Sequence, residues 1–315
     1  MPFSLQPQTP TPSKAKRKPR APDANAPEPI DPNRGAFDLD YFRGERGVDG
    51  APTVVSFSGG RTSAMMLRLL LDAHGGRLPF DCLVTFANTG KEREETLVFV
   101  EECSQRWGVR IVWLEYRHHE QGAPRTSRFE EVTFRTASRK GEPFDAIIRQ
   151  RGMVPRPMIR FCTEILKVRV MRDYALTRFA GGRWNRILGL RADEGIRAGG
   201  AEDSGHEFGD VKLPLFYAGV REPDVRAFWR KQPFDLGLES YEGNCDLCML
   251  KSQSKRVRIM ADRPDLAEWW LERDKIGEGF RPGDKSYADL MARTHLPVLP
   301  GILHGEESLH CECTD

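Results

Sequence analysis

The sequence predicts an α/β fold: a doubly wound, mostly parallel sheet with a cysteine-bearing C-terminal extension. Three observations predict it. Short β-branched runs alternate with helical patterns from residue 52 onward. The first run ends in a Ser-Gly-Gly loop that opens a helix. Cysteines that fall outside the strand and helix patterns gather in the second half of the chain.

The elements read in order as follows. Pro52-Thr53-Val54-Val55-Ser56-Phe57 is a strand, and Thr62 to Leu71 is a buried helix. Cys82 to Ala87 is a second strand ending in Asn88-Thr89-Gly90, and a helix runs from Glu92 to Trp107. Val109 to Leu114 is a third strand. Residues 117–160 are less regular. A helix over Thr163 to Ala180 follows, then a fourth strand over Trp184 to Arg191. Leu213-Pro214-Leu215-Phe216 is a candidate fifth strand. Val225 to Lys231 and Leu266 to Asp274 are helical, and the last fifteen residues are loop-like. Right-handed crossovers place the loops at the strand C-termini along one edge, where ligands bind.

The chain of 315 residues divides into three expected segments. Residues 1–34 are a disordered basic tail, 35–235 a nucleotide-binding α/β domain, and 236–315 a helical, cysteine-containing region. The tail carries six Lys/Arg against three acids, so a net +2 for the whole chain leaves the body at −1. The body is therefore no strongly basic nucleic-acid binder. The tail is either a solubilising arm or a nucleic-acid contact. No run of about 18 apolar residues exists, and the N-terminus lacks a signal pattern, so a cytoplasmic protein with no membrane partner is expected.

Ser58-Gly59-Gly60-Arg61-Thr62-Ser63 follows a strand and opens a helix. Two glycines let backbone approach an anion closely, and N–H groups at the helix start favour phosphate. Ser58, Thr62 and Ser63 add hydroxyl donors. The loop is not the Gly-x4-Gly-Lys-[Ser/Thr] pattern, and by itself it could be an ordinary strand–helix turn. The polar end of the next strand, Asn88-Thr89-Gly90, supplies the second wall of a nucleotide crevice.

Residues 149–172 hold seven Lys/Arg against Glu164 alone, a local +6 that suits a multiply charged anion. Arg160 and Lys167, which flank Cys162, are the candidates for anion contact, while Arg169 and Arg172 read as a solvated face.

Seven cysteines are present. Cys82 and Cys103 fall in strand and helix patterns and read as small buried hydrophobes. Cys245-Asp246-Leu247-Cys248 is Cys-x2-Cys in a loop, a spacing for metal, cluster or redox dithiol. With Cys162 and the tail pair Cys311 and Cys313, five thiols are available, enough for a [4Fe-4S] cluster. Zinc accepts the same set. In the plainest reading Cys162 is simply buried and the Cys-x2-Cys pair is a structural zinc knuckle without catalysis; no metal at all is the remaining alternative.

The chain resembles the phosphoadenosine phosphosulfate (PAPS) reductase family of the PP-loop, adenine-nucleotide α-hydrolase-like superfamily. The family loop Ser-Gly-Gly-Lys-Asp-Ser is matched by Ser58 to Ser63, with Arg61-Thr62 in place of Lys-Asp. Its Asn/Asp-Thr-Gly strand end is matched by Asn88-Thr89-Gly90. Its Cys-Thr-x-x-x-Lys region is matched by Cys162-Thr163 and Lys167, and its Gly-x-Arg element by Gly189-Leu190-Arg191. The likeness spans roughly residues 52–275. It implies an adenylyl nucleotide on Ser58, Gly59, Gly60, Thr62, Ser63, Asn88, Thr89 and Gly90, with Arg160, Lys167 and Arg191 on the sulfonate and phosphates. It implies sulfite release from a sulfonucleotide, with a thiol donor such as thioredoxin. It also implies a cluster on Cys162, Cys245 and Cys248, one ligand short of the family's Cys-Cys plus Cys-x2-Cys, so that the fourth place is filled from the tail or left open on iron. The family's C-terminal Glu-Cys-Gly-Leu-His is absent; Cys311 or Cys313 beside His310 would be the attacking thiol, or a ligand. The alternatives are a PP-loop ATPase that adenylates and thiolates a nucleic-acid base, and a non-catalytic nucleotide-binding module with structural zinc.

Overall fold

The computed structural model describes residues 37–118, 128–203 and 209–295. The tail at 1–34 and the thiols of Cys311 and Cys313 lie outside these residues. Among the described residues, no helix is long and apolar enough to cross a membrane.

β1 (Thr53–Ser56) leads through the Ser-Gly-Gly loop into α1 (Arg61–Ala73), and β2 (Cys82–Asn88) leads into α2 (Glu94–Trp107). β3 (Ile111–Tyr116) and β4 (Phe129–Val132) follow, then α3 (Glu142–Arg151). The stretch expected as one helix is three pieces: α4 (Phe161–Thr163), a π-helical turn over Glu164–Arg169, and α5 (Val170–Arg178). β5 (Asn185–Leu188), α6 (Gly195–Asp203), β6 (Val211–Lys212), α7 (Pro214–Tyr217) and α8 (Glu222–Trp229) complete the first part of the chain. α9 (Gln253–Asp262), α10 (Ala267–Arg273) and α11 (Tyr287–Met291) follow the Cys-x2-Cys loop.

The sheet has six strands in the order β4-β3-β2-β1-β5-β6. Every neighbouring pair is parallel except β3 with β4. The chain winds outward from β1 through β2 and β3, then returns to the other side of β1 as β5. That reversal opens a crevice at the C-terminal ends of β1 and β5, where open α/β sheets take ligands. β3 is buried along its whole length, as a strand covered on both faces must be. Trp113 faces a core with α1 and α2, while Val112 and Leu114 face a second core with Leu247, Trp270 and Tyr287. The cysteine-bearing region therefore shares a core with the sheet.

The candidate strand over Leu213 to Phe216 is corrected to a helical turn, Pro214–Tyr217, with the short β6 just before it. Pro214 at the first helical position has no N–H to give a ladder and a φ already suited to helix. β4, α3 and α9 were not expected. β4 is half exposed, with Glu130 and Glu131 in the middle, and its pattern carries no strong period.

A wide cleft of about 720 Å³ lies where β3 begins, lined by Arg110, Trp113, Phe134 and Arg135 among others. It is at the wrong end of the sheet for the loops discussed below.

Two glycines set how closely the crevice closes. Gly59 has φ +84°, and a Cβ there would meet Thr96 Cγ2 at 2.8 Å. Gly189 lies so near the start of α1 that a Cβ would stand 3.0 Å from Ser63 Cα. Gly59→Ala combines a disfavoured φ with a clash, so it is expected to destabilise the chain by about 1–3 kcal/mol. An equilibrium urea titration checks this as a lower midpoint at unchanged slope.

Candidate functional site

The loop after β1 is held by its own hydroxyls. Ser63 Oγ accepts from the Ser58 N–H at 3.2 Å and from Ser58 Oγ at 2.9 Å. It donates to the Gly60 carbonyl at 3.0 Å. Across the crevice, Arg191 follows β5, and its Nη1 donates to Thr62 Oγ1 at 3.2 Å. Arg191 also pairs with Asp193 at 2.9 Å. The loop and Arg191 thus share one wall. Arg61 turns away from it: Nε and Nη2 reach the two oxygens of Asp235 at 2.8 and 2.6 Å, and Nη2 also reaches the Leu238 carbonyl at 3.0 Å. This hydrogen-bonded fork holds the Asp235 carboxyl below its usual range. Arg61 therefore serves as a latch between the loop and residues 235–238.

The end of β2 is a brace. Asn88 is fully buried, and its Nδ2 donates to Glu115 Oε1 at 2.7 Å and to the Ser138 carbonyl at 2.9 Å. Its Oδ1 accepts from the Gly90 N–H at 3.1 Å. Thr89 gives its N–H to Glu92 Oε2 at 2.8 Å and its hydroxyl to the same carboxylate. Asn88 and Thr89, expected as nucleotide contacts, have these polar groups occupied by the protein itself. The Asn-Thr-Gly spacing gives no sign of this, because the partners Glu115 and Ser138 lie on other elements.

Cys162, Cys245 and Cys248 line one small pocket together with Thr89, Lys167, Met249 and Trp270. Lys167 Nζ stands 3.4 Å from Glu92 Oε1. Arg160 is instead exposed, on the turn before α4. The three expected anion contacts are thus dispersed: Lys167 sits with the thiols, Arg191 with the phosphate loop, and Arg160 outside the pocket lining. A hydrogen bond from Cys248 pulls the Cys245 thiol down, but burial, with Asp246 and Glu92 nearby, outweighs it and leaves the pKa raised. Burial pushes Cys82 up to about 12 and raises Cys103 as well, in keeping with two inert core thiols.

The Cys-x2-Cys loop is bolted to both walls. Residues 91–93 and 244–246 run antiparallel, with the Arg93 N–H on the Asn244 carbonyl at 2.7 Å and the Asp246 N–H on the Lys91 carbonyl at 3.0 Å. Lys91 Nζ pairs with Asp246 at 2.8 Å, both side chains being less than a tenth exposed. Asp246 also accepts from Trp270 Nε1 at 2.6 Å. Asn244, fully buried, donates from Nδ2 to the Ser58 carbonyl at 2.9 Å. Asn244 therefore ties the thiol loop to the phosphate loop. Lys91, Glu92, Asn244 and Asp246 were missed in sequence; their only signal is adjacency to Gly90 and to Cys245.

The donor set suits a soft metal or an iron–sulfur group, since three thiols and no carboxylate line the pocket. Lys251 is buried beside the Cys-x2-Cys loop and donates to the Cys245 carbonyl, while the buried Arg256 pairs with Asp284 at 3.8 Å. The cavity is only about 20 Å³, room for one water. Among the described residues no three His, Cys, Asp or Glu stand at metal-holding spacing. The thiols suit an iron–sulfur group in donor chemistry, but neither their spacing nor the space between them fits one.

The family model described as the phosphoadenosine phosphosulfate reductase domain matches residues 52–155. The chain is 31% identical over 204 residues to the uncharacterized nin region protein ORF290 of Escherichia phage lambda, covering 64% of this chain and 67% of that protein. The chain belongs to the PAPS reductase-like PP-loop superfamily. An uncharacterized protein of Methanocaldococcus jannaschii is 24% identical over 246 residues, 73% of this chain and 44% of that protein, so the chain spans less than half of its length. Among solved structures, the U34-tRNA thiolase NcsA of Methanococcus maripaludis with its [4Fe-4S] cluster is 14% identical, with a TM-score of 0.40, covering 87% of this chain and 79% of that one. The family match ends before Cys162, so it takes in the phosphate loop and the β2 brace and leaves the thiols outside.

Removing one partner of the buried Lys91–Asp246 pair leaves a charge without compensation. Lys91→Met is expected to cost about 3–5 kcal/mol. Adding Asp246→Asn, which keeps an acceptor for Trp270, is expected to recover part of that loss. Urea unfolding of the single and double variants checks the order.

Proposed function

We propose that this protein is an enzyme that handles sulfur on an adenylyl nucleotide, and that its reaction is PAPS reductase-like release of sulfite from a sulfonucleotide. The observation that carries this reading is the Asn244 bridge, which places a three-thiol pocket against the loop that would hold the nucleotide phosphates.

In this reading the nucleotide phosphates lie on Ser58, Gly59, Gly60, Thr62 and Ser63, with Arg191 supplying a fixed charge from β5. Gly90, Asn88 and Thr89 shape the floor instead of donating to the ligand. Lys167, held by Glu92, presents its ammonium to the sulfonate oxygens in the thiol pocket. A thiolate of Cys311 or Cys313 attacks sulfur, the S–O bond to the nucleotide breaks, and the nucleotide leaves with the electron pair. A second thiolate then attacks the resulting S-sulfocysteine, forming a disulfide and expelling sulfite. An external dithiol such as thioredoxin reduces that disulfide. The side chains of Cys162, Cys245 and Cys248 close the pocket against water.

The second reading is ATP-dependent adenylation and thiolation of a nucleic-acid base, with the basic tail as one contact. It is favoured by a single observation, that three cysteines and no fourth line the pocket among the described residues. A purely structural zinc site on a nucleotide-binding module is the third.

The test is an anaerobic preparation assayed two ways. Sulfite release from adenylyl sulfate or PAPS with a dithiol supports the first reading; AMP and pyrophosphate from ATP only in the presence of an acceptor supports the second. Colourless protein with zinc and no turnover leaves the third. For the first reading, Lys167→Met and Arg191→Ala each remove a charge-assisted contact worth about 1.5–3 kcal/mol. Each should therefore lower kcat/KM roughly ten- to hundredfold. Steady-state kinetics on the folded variants measures it.

A further inference from the structure

Cys245, Asp246, Leu247 and Cys248 make one tight turn, with Asp246 and Leu247 at its centre. The first and fourth residues of such a turn stand within about 7 Å of each other. Disulfides span Cα separations of roughly 4.4–6.8 Å. The two side chains already meet, Cys248 donating a hydrogen bond to Cys245. The turn is also fixed on both flanks. The Arg93 N–H holds the Asn244 carbonyl at 2.7 Å, and the Asp246 N–H holds the Lys91 carbonyl at 3.0 Å. On the far side the Lys251 N–H reaches the Cys248 carbonyl at 3.0 Å, and the Lys251 ammonium donates to the Cys245 carbonyl.

The two thiols are unequally covered. Cys245 is half-buried, while Cys248 is 5% exposed. Both line the pocket that also holds Cys162, Thr89 and Lys167. Its 20 Å³ is too small for an iron–sulfur group, and among the described residues no three His, Cys, Asp or Glu stand at metal-holding spacing. A disulfide needs neither the room nor a third ligand, since it only draws two neighbouring sulfurs together. Thiol–disulfide exchange passes through a mixed disulfide, and access decides which sulfur forms it. A reachable Cys245 over a buried Cys248 meets that requirement: the outer thiol takes the partner and the inner one displaces it.

We propose that Cys245 and Cys248 are a redox dithiol that closes reversibly to a disulfide and supplies the two electrons of the pocket's chemistry. Its use in sulfite release rests on the sulfonucleotide reading above, whose second step it completes. In that reading an S-sulfocysteine remains once the nucleotide has left. The Cys245 thiolate attacks the sulfur of that cysteine, the S–S bond to the sulfonate breaks, and sulfite leaves with the bonding pair. The Cys248 thiolate then attacks Cys245 Sγ, the mixed disulfide breaks, and the first cysteine leaves as its thiolate. Two thiols have become one disulfide, their two protons have gone to solvent, and the sulfonate sulfur has gained two electrons. An external dithiol reopens the pair by the same exchange.

The experiment uses the full chain, reduced and kept free of oxygen, as wild type, Cys245→Ser and Cys248→Ser. In its first arm the wild type is equilibrated in mixtures of reduced and oxidised dithiothreitol, quenched with acid, alkylated and mapped by peptide mass spectrometry, with metal content measured alongside. One two-electron transition is expected, with Cys245 joined to Cys248 in the oxidised mixtures. Thiols that stay free in every mixture, oxidation that joins Cys162 instead, or one metal ion per chain held by the pair overturns the proposal. This arm needs no variant, so a substitution that prevents folding does not weaken it. In the second arm the reduced chain meets adenylyl sulfate or PAPS for a single turnover without added reductant. The wild type is expected to release one sulfite and to close the pair. Cys245→Ser is expected to release the nucleotide normally and sulfite more than about tenfold slower, and Cys248→Ser to stop at a mixed disulfide on Cys245. Sulfite released at the wild-type rate by both variants overturns the proposal alone. A pair that closes in dithiothreitol, in a chain that releases no sulfite, overturns the sulfonucleotide reading and leaves the dithiol standing.

Discussion

The contact between residues 91–93 and 244–246 is the constraint on which the rest of the site depends. It is two backbone hydrogen bonds around a buried Lys91–Asp246 pair. Without it the Cys-x2-Cys segment would be a loop with no fixed relation to the sheet. With it, Cys245 lies opposite Glu92, which also holds Thr89 and Lys167. One short ladder thus sets the thiols, the lysine and the end of β2 in a single arrangement. A pair so deeply buried contributes little net stability over an apolar substitute, but its directionality fixes register.

Two loops that start on different parts of the chain become one site through Asn244. Its side chain spans from Thr96 on α2 to the Ser58 carbonyl. On the opposite wall Arg191 reaches Thr62, and Gly189 lets β5 approach the start of α1 without a side chain between them. The crevice is therefore clamped from both sides of β1. Rigid clamping suits group transfer, because a reacting atom must be held within bonding reach of its partner.

The electrostatic plan is layered. The Ser58–Ser63 loop presents backbone and hydroxyl groups, with Arg191 as the charge beside it. Lys167 in the thiol pocket and Lys91 beside it are each answered by a carboxylate, Glu92 and Asp246. Arg61, which stands in the loop where the family has lysine, is committed to Asp235.

Sequence alone was enough for the α/β class and for the Ser-Gly-Gly loop between a strand and a helix, and the family resemblance grouped Cys162 with Cys245 and Cys248, which line one pocket. The first two rest on local signals: β-branched runs, and glycines at a strand–helix junction. The tertiary structure decided what the polar residues between those signals do. Asn88 and Thr89 read as ligand contacts, and the structure adds hydrogen bonds from them to Glu115, Ser138 and Glu92, partners brought to them by sheet and loop packing. Arg160 and Lys167, seven residues apart, part company because the helix start between them buries Phe161 and turns Lys167 inward. Asn244 carries no motif at all; its role comes from what lies across from it, and a one-dimensional pattern holds no record of that.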